Sequence, residues 1–535
     1  MPIATKTPPH PASASPSRGE VPVRARGKMH SALSWTRWRV ILVALAIMSA
    51  ALRLPGLNAP TDAGTPVFDE KHYVPQAWQI LRGYSGLLIG GIEDNPGFGL
   101  VVHPPLAKQL QSLGMAVFGY SPFGWRVSTA LLSILTIVLI AAIARRISRS
   151  DWVGLLAGIL ALSEGILFVT GRSGMLDHTQ TLFVVAAAYC AVRDHEQMET
   201  RFTTVLRERR MFLFPLGPRM GFRWWRFAMG IALGLSLAVK WSGLYYLAFA
   251  GVALVVSDFA RRRRFGVFQP FKGTLLLDSV SAFASVVILP VSIYFATFRA
   301  WFANDSSVYR HALESGQAKD FAIGPLVNFL PQSVENFIYY HYSVLKFHTE
   351  LTNSAGHIHP WESKPWSWLV SSRGLMYYNP GANSEGIRHV VLLLGTPAIW
   401  WPCVPVLLWG LWCLIIRRDG RWAIPVVGFA TGFLPWLLAM DRQMYLFYAV
   451  NLAPFLVIAL ALALGQLSTW RLASAEEPAS QYQAVTLLRQ HTGQLLVIAY
   501  VVFCVWNFLF FLPMYSGMPM SNNDWLSRMW LPSWA

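Results

Sequence analysis

The sequence has little charge for its length. Only 13% of its 535 residues are Asp, Glu, Lys or Arg, whereas 54% are hydrophobic. A soluble chain of this size needs far more charged side chains to cover its surface, so the composition excludes a soluble protein. Many apolar runs approach or exceed the roughly 20 residues that cross a bilayer. We therefore predict an all-α polytopic membrane protein that forms one helical bundle.

Cysteine is scarce as well. The four cysteines each lie within an apolar run, and none has the spacing of metal ligands: Cys190, Cys403, Cys413 and Cys504. They are interpreted as small buried hydrophobic side chains. The sequence also lacks a P-loop, a GxGxxG motif, heptads and internal repeats. The missing repeats argue against a secondary transporter, whose site usually lies between inverted repeats near the membrane midplane.

Basic residues outnumber acidic ones and give the chain a formal net charge of +17. They occur in short clusters between apolar runs, as at Arg145-Arg146, Arg207 to Arg210 and Arg261 to Arg264. This pattern is typical of cytoplasmic loops that obey the positive-inside rule. We therefore predict no nucleic-acid partner.

About eleven apolar segments are predicted to span the membrane. They are 38–55, 125–144, 151–170, 174–192, 224–239, 241–258, 274–298, 389–416, 422–440, 443–466 and 494–513. With the N-terminus inside and the C-terminus outside, the Arg-rich loops face the cytoplasm, including loop 193–223. Loops 56–124 and 299–388 then lie outside. Hydropathy and charge thus predict the same topology.

The chain divides into three predicted regions. Residues 1–34 are rich in Pro, Ser, Ala and basic residues and are predicted to form a disordered cytoplasmic tail. Residues 35–515 form the transmembrane domain, whose first segment is expected to remain as a signal anchor, and residues 516–535 form an outer tail. The first and fourth outer loops, 56–124 and 299–388, are expected to contain amphipathic helices on the outer membrane surface.

The first large outer loop concentrates ionisable residues. Asp69 and Glu70 are adjacent, and a carboxylate near a bilayer can act as a base because partial desolvation raises its proton affinity. Further on, His103 begins a His-Pro-Pro turn that is followed by Lys108. The two prolines fix the backbone, so His103 and the start of the next helix are held rigidly. An ordinary solvated carboxylate pair and a plain turn remain the alternatives.

Further ionisable residues lie at the predicted outer ends of the spans. Arg126 opens the second span, and Arg172 and Asp177 bracket the short turn between the third and fourth spans. Such residues at membrane depth are costly and usually functional. Because the planar guanidinium matches phosphate oxygens, these arginines could hold a lipid-linked phosphate. A structural pair of Arg172 and Asp177 is the alternative.

The second large outer loop carries His, Trp and charged residues together at 357–368. Its candidate residues are His359, Trp361 and Lys364. Indoles interleaved with polar groups suit stacking against a sugar or a peptide, although an interfacial aromatic belt has the same composition. We predict no cofactor and no metal site, and leave a divalent-metal requirement open, because four histidines fail to complete a ligand set: His341, His348, His357 and His359.

Together these segments resemble the bacterial branch of the protein O-mannosyltransferases over roughly residues 35–515. The matching stretches are Phe68-Asp69-Glu70, His103 to Lys108, Arg126, Arg172 to Asp177 and Trp361 to Trp366. Each motif alone is weak, whereas Asp-Glu combined with His-Pro-Pro is fairly specific. Eukaryotic members carry a large soluble sugar-binding-like domain in the later outer loop, and this chain has too few residues there for one.

The resemblance implies a GT-C fold with its active site on the outer face, in the first large loop. It implies inverting transfer of mannose from polyprenyl-phosphate-mannose to Ser or Thr hydroxyls of secreted or membrane proteins. Acceptors would come from the secretion machinery at a bacterial plasma membrane, in contact with membrane lipid. Asp69 matches the family's catalytic Asp. Glu70 is grouped with it, and the expected donor or substrate contacts are His103, Lys108, Arg126, Arg172, Asp177, His359, Trp361 and Lys364.

The implied chemistry is consistent with the residues present. An inverting transfer needs one base to deprotonate the attacking hydroxyl. The phosphate leaving group already carries its charge, so cationic side chains can stabilise it in place of a general acid. The nearer alternative is a GT-C enzyme that moves another lipid-linked sugar, such as aminoarabinose to lipid, and the more distant one is a secondary transporter. The inner loop 193–223 is not explained by the resemblance.

Overall fold

The computed structural model describes residues 24–95, 101–211, 213–318, 321, 329–471 and 488–534. The chain divides into two units, Met1–Val43 and Ala44–Ala535, and the candidate site lies within the second. Of the predicted disordered tail, residues 1–23 lie outside the described part. Residues 24–34 belong to helix α1, which begins at Arg24.

Ten helices are described up to residue 297, and two of them, α2 and α3, lie in loop 56–124. They are α1 Arg24–Arg53, α2 Glu70–Arg82, α3 Leu106–Phe118, α4 Pro122–Ser148, α5 Asp151–Leu162, α6 Gly165–Thr170, α7 Asp177–Arg207, α8 Trp224–Val239, α9 Gly243–Arg264 and α10 Pro270–Thr297. Helix α10 contains two π-helical turns, Thr274–Asp278 and Ala284–Ile288.

The remainder of the described chain adds shorter helices and four short strands. They are α11 Arg299–Ala303, α12 Gln332–Glu350, α13 Pro365–Trp368, β1 Leu375–Tyr378, β2 Ile387–His389, β3 Val391–Leu393, α14 Pro397–Trp400, α15 Cys403–Ile415, α16 Ala423–Phe433, α17 Ala453–Leu467, α18 Thr492–Ser516, β4 Pro519–Ser521 and α19 Asn522–Arg528. Short 3₁₀ turns occur at Gly420–Trp422, Leu434–Leu438, Leu446–Asn451 and Pro532–Trp534.

The helical membrane architecture is confirmed. Six helices in the described chain are long and apolar enough to cross a membrane: Pro122–Ser148, Gly243–Arg264, Pro270–Thr297, Pro397–Ile415, Gly420–Leu438 and Thr492–Ser516. Three shorter apolar helices accompany them: Asp151–Leu162, Trp224–Val239 and Ala453–Leu467. Each of the eleven predicted segments overlaps a helix of the structure.

The predicted span 151–170 is interrupted at Ser163 and Glu164. Glu164 caps α6, where its carboxylate accepts hydrogen bonds from the N–H groups of Ile166 at 3.0 Å and Leu167 at 2.6 Å. The indole of Trp400 donates a third hydrogen bond at 2.7 Å. A buried carboxylate is tolerated when its acceptors are satisfied, so Glu164 here terminates one helix and starts another.

The predicted span 389–416 is wrong in its first part. Residues 387–393 form β2 and β3, where β1 pairs with β3 and β2 with β4, both antiparallel. A short buried strand and a buried helix segment cannot be distinguished by periodicity alone, and the all-α prediction therefore lacked these sheets. Strand β4 and helix α19 also give the predicted outer tail a regular structure.

Helices α2 and α3 pack loop 56–124 against the bundle. Val74 and Ala77 of α2 share a buried cluster with Met115 of α3 and Trp125 of α4. Buried apolar side chains along one face of each helix fix its orientation on the bundle. This contact places the N-terminus of α2, which carries the two adjacent carboxylates, beside the start of α4.

Candidate active site

The turn before α2 places the two adjacent carboxylates in different environments. Phe68 has a φ of 50°, and Asp69 is the N-cap residue of α2 without a side-chain capping bond. Glu70, the first residue of the helix, is 1% exposed, whereas Asp69 is half-buried. A left-handed residue at this point redirects the chain at some conformational cost, which is characteristic of functional turns.

Glu70 is fully engaged by its surroundings. Arg126 donates from Nε and Nη2 to its two carboxylate oxygens, each at 2.8 Å, and the N–H groups of Gly174 and Val67 donate at 2.7 and 3.1 Å. Burial opposes ionisation, but the charge of Arg126 and these donors outweigh it and lower the pKa of Glu70. Glu70 thus joins α2 to α4 and to the turn before α7.

The carboxylate of Asp69, unlike that of Glu70, is not held by hydrogen bonds from the described residues. No residue in the described chain donates a hydrogen bond to its carboxylate. Burial raises the pKa of Asp69, and the nearby charge of Lys240 partly opposes this increase. A carboxylate with raised proton affinity and open lone pairs can accept a proton from a bound hydroxyl group.

Lys240 and Asp177 form a buried ion pair next to Asp69. Lys240 Nζ donates to Asp177 Oδ1 at 2.8 Å and lies 5.0 Å from the ring centre of Phe447. The other oxygen, Asp177 Oδ2, is buried without a hydrogen-bond partner in the described part of the chain. Because Oδ2 still has acceptor capacity, the pair can bind a donor group from a ligand.

A buried amide network supports this pair from below. Gln180 donates to the carbonyl of Lys240 at 3.0 Å and accepts from the amide of Asn451 at the same distance. Thr181 donates to Asn451 Oδ1 at 2.8 Å. These bonds fix the short non-helical segment between α8 and α9, from which Lys240 projects.

Arg126 and Arg172 line one small cavity together with Phe68, Glu70 and Tyr377. Arg126 also donates to backbone carbonyls, so its donors are largely occupied. Arg172 donates from Nη1 alone, to the carbonyls at the end of α1, and no partner for its Nε or Nη2 is found among the described residues. Of the two predicted phosphate-binding arginines, Arg172 therefore retains free donors.

His103 precedes α3 and Lys108 lies in its first turn. The two side chains have different surroundings. Lys108 forms a fully buried ion pair with Glu93 and donates to Gln76 at 3.1 Å. His103 stacks on His348 with ring centres 5.3 Å apart, and burial keeps the pKa of His103 well below its usual value. Lys108 is thus held by protein groups, and His103 is a neutral ring at neutral pH.

The predicted loop 357–368 is fixed to the segment before the 3₁₀ turn at 446. Lys364 pairs with Glu362 at 2.5 Å and donates to the carbonyls of Met440 and Arg442. His359 packs edge-on against the ring of Tyr445 with centres 5.3 Å apart. Lys364 therefore holds two loops together and has few donors left for a ligand.

Trp361 and Trp366 remain accessible on this fixed loop. Trp361 is half-buried, and Trp366 is 59% exposed. The third indole, Trp368, is buried and donates to Ser363 at 2.9 Å. The loop thus combines one structural tryptophan with two that can still contact a ligand.

Sequence reasoning missed Lys240 and Tyr377. A lysine within the apolar stretch 224–258 is costly in a membrane and is itself a signal of function. Tyr377 stacks on Phe68 at 4.7 Å, and its hydroxyl is buried without a partner among the described residues. Tyr377 had no such signal, because its position depends on the strand pairing of β1. Within the described residues, no group of three His, Cys, Asp or Glu side chains could hold a metal ion.

Two family models match the chain. Residues 333–534 match the model of the C-terminal four-TMM region of protein-O-mannosyltransferase. Residues 102–206 match the model of dolichyl-phosphate-mannose-protein mannosyltransferase. The first match includes the loop with Trp361 and Lys364, and the second includes His103, Arg126, Arg172 and Asp177.

Two curated relatives and one solved structure are similar over nearly the whole chain. The polyprenol-phosphate-mannose–protein mannosyltransferase of Corynebacterium glutamicum is 48% identical over 509 residues, which is 94% of each chain. The protein of the same name from Mycobacterium tuberculosis is 40% identical over 519 residues, or 96% of this chain and 94% of its own. The Pmt1-Pmt2 protein O-mannosyltransferase complex of S. cerevisiae, bound to the sugar donor, has a TM-score of 0.67 at 17% identity and 93% coverage of both chains. At 17% identity, the similarity to the yeast complex shows that the fold is shared.

Proposed function

This chain belongs to the bacterial branch of the protein O-mannosyltransferase family, and we infer that it transfers mannose from polyprenyl-phosphate-mannose to Ser or Thr hydroxyls of proteins. The names of the Corynebacterium and Mycobacterium relatives support the donor and the protein acceptor. The chain is a multi-pass membrane glycosyltransferase. Our proposal further includes a bacterial plasma membrane, a cytoplasmic N-terminus, an outer C-terminus and a reaction at the outer face.

The contrast between Asp69 and Glu70 carries the catalytic assignment. Glu70 receives four hydrogen bonds from protein donors, so its lone pairs are occupied. Asp69 receives none from the described residues, is half-buried and has a raised pKa because of burial. A general base needs open lone pairs within reach of the attacking hydroxyl. Asp69 is therefore the proposed base, and Glu70 positions the loop that carries it.

The proposed transfer is a single inverting displacement. The acceptor hydroxyl gives its proton to the carboxylate of Asp69 while its oxygen bonds to the anomeric carbon of mannose. The bond between that carbon and the phosphate oxygen breaks, and polyprenyl phosphate leaves with the electron pair. Lys240 favours the ionised form of Asp69 before the reaction, because its positive charge lies nearby.

The phosphate is proposed to bind at the cavity lined by Arg126 and Arg172. Arg172 offers Nε and Nη2, and Arg126 adds its positive charge although Glu70 occupies much of its fork. Cations aimed at the leaving group stabilise the charge that develops as the bond breaks. Trp361 and Trp366 are proposed to contact the acceptor peptide, since both remain accessible on a rigid loop.

The test is a transfer assay with purified full-length protein, polyprenyl-phosphate-mannose and a Ser/Thr-rich peptide. Asp69→Asn is nearly isosteric and breaks no protein hydrogen bond, so the variant should fold and bind donor normally. Loss of a general base typically lowers the rate about a hundredfold to ten-thousandfold. Asp62→Asn is the matched control, because Asp62 is exposed in the same loop, and it should retain wild-type turnover.

Glu70→Gln separates the two carboxylates. The amide removes the charge that pairs with Arg126, so this variant should lose thermal stability, whereas Asp69→Asn should not. Turnover close to wild type in Asp69→Asn would overturn the assignment of the base. Absence of mannosyl transfer by the wild-type protein itself would instead overturn the proposed function.

A further inference from the structure

The end of the bundle opposite to Asp69 carries a surface for which the proposed transfer has no use. Helix α7 runs from Asp177 at the site to Arg207, and its 31 residues extend about 46 Å at 1.5 Å per residue. Beyond it, residues 207–211, 213–224 and 263–272 form what we call the basic aromatic surface. It includes the end of α9 and the start of α10, both long and apolar enough to span a membrane.

The scaffold beneath this surface is rigid. Met198 and Phe202 of α7 form a buried cluster with Met211 and Val267. Arg201 donates to the carbonyls of Met220 and Phe222, at 2.7 and 2.9 Å, so the backbone of the loop is tied to α7. The loop is therefore held in one conformation that exposes particular side chains.

Arg262 ties the same loop to α9 and α10. It is fully buried, pairs with Asp278 at 2.6 Å and donates to the carbonyl of Leu216 at 2.9 Å. The N–H of Gln269 donates to the carbonyl of Pro215 at 2.9 Å. Loop 213–222 and segment 265–270 thus move as one body.

Large apolar side chains project from this rigid body. Six of them are between 56% and 82% exposed: Leu213, Phe214, Phe222, Trp224, Phe268 and Phe271. Exposed apolar side chains concentrated on neighbouring segments mark an interaction surface. Trp and Phe side chains at the ends of spanning helices favour the region between the lipid headgroups and the acyl chains.

Unpaired cations accompany these side chains. Exposed basic residues on the same segments have no acidic partner among the described residues: Arg207, Arg209, Arg219, Arg263 and Lys272. Two nearby acidic residues already form ion pairs with other arginines: Glu208 pairs with Arg210, and Glu199 pairs with Arg264. The surface therefore presents net positive charge next to apolar rings, which is complementary to an acidic bilayer surface.

We propose that the basic aromatic surface binds acidic phospholipid headgroups of the leaflet opposite to the active site, with its aromatic side chains inserted among the upper acyl chains. A lipid fits better than an acidic protein segment, because α9 and α10 bring this surface to the membrane edge. The surface then anchors the long inner extension of α7 to the bilayer.

The test measures lipid preference with a fluorophore on a cysteine introduced by Phe268→Cys in the full-length protein. The native cysteines are buried and should not react. Vesicles contain phosphatidylcholine with either brominated phosphatidylglycerol or brominated phosphatidylcholine as quencher. One basic residue near an acidic surface corresponds to about fivefold in association, so phosphatidylglycerol should quench with at least about that preference. High salt should reduce the preference.

Two double variants decide the outcome. Arg219→Gln with Lys272→Gln should lower the preference by at least about fivefold, since each removed cation contributes about that factor. Arg82→Gln with Lys346→Gln, which removes two exposed cations of the outer loops, should leave it unchanged. Equal quenching by the two lipids in the wild type would overturn the proposal, and protection of the label by polyglutamate in that case would assign the surface to an acidic protein. The readout is independent of mannosyl transfer.

Discussion

Two buried ion pairs on α7 are in opposite states. In the C-terminal half of the helix, Asp194 pairs with the buried Arg223, which also pairs with Asp258 of α9. At the N-terminal end of α7, Asp177 pairs with Lys240 through one oxygen only, and the second oxygen is buried without a partner among the described residues. The buried ion network around Arg223 is thus fully paired, whereas the buried pair of Asp177 and Lys240 retains an open acceptor.

This difference separates structural from functional charge. A saturated buried ion network holds helices together, and its removal costs stability because the remaining charges lose their partners. A buried carboxylate with an open lone pair costs stability in the free protein and is retained where a ligand can complete its bonding. Asp69 and Asp177 satisfy the second description, whereas Asp258 satisfies the first.

Of the substitutions compared, removal of the Asp258 carboxylate should give the largest loss of stability. Asp258 accepts from Arg223 at 2.7 Å, from Arg226 at 3.2 Å and from Arg261 at 2.7 Å. Asp258→Asn leaves these three guanidinium groups undercompensated, and breaking a buried pair typically costs about 3–5 kcal/mol. Denaturant titration of the purified protein measures this loss, while turnover per folded molecule should stay at the wild-type level.

The exposed pair of Glu208 and Arg210 is the matched control at the same end of the molecule. Glu208→Gln should change stability by no more than about 1 kcal/mol, because exposed pairs contribute little. Equal losses of unfolding free energy in Asp258→Asn and Glu208→Gln would contradict a structural role for the buried ion network around Arg223.

Arg172 and Arg126 line the same cavity, but only Arg172 retains free donors within the described chain, so their lysine variants should differ. Arg172→Lys keeps the charge but loses the planar fork, so we expect the donor KM to rise about tenfold, in the range of one or two charge-assisted hydrogen bonds. Arg126→Lys breaks the two-bond contact with Glu70 and should lower thermal stability as well. An unchanged donor KM in Arg172→Lys would show that the phosphate binds elsewhere.

The order of helices and the position of the carboxylates in the loop after the first apolar segment followed from sequence because they depend on local composition. Apolar runs define spans, and Asp69 lies in a polar loop just after the first of them. The pairing of side chains depends on contacts between distant segments. Glu70 and Arg126 are 56 positions apart, and Lys108 and Glu93 meet only when α3 packs against the loop before it.

The sequence therefore identifies the regions that contain candidate cations but cannot rank the cations within a region. Lys364 is among the expected donor or substrate contacts, yet Glu362 and two backbone carbonyls occupy its ammonium group. Lys240 was not a candidate, although it pairs with Asp177 beside Asp69. No signal in the local sequence distinguishes an ammonium group with free donors from one that is already engaged.

The smallest expected effect concerns the pH dependence of the reaction. Burial raises the pKa of Asp69, and the positive charge of Lys240 is the largest influence that lowers it. A general base works only when it is ionised, so activity should fall as the pH decreases through this raised pKa. In Lys240→Gln the opposing charge is gone, and the acidic limb of kcat/KM should move to higher pH. Lys71→Gln, an exposed neighbour, should leave the limb in place, and an equal shift in both variants would show that Lys240 has no special effect on Asp69.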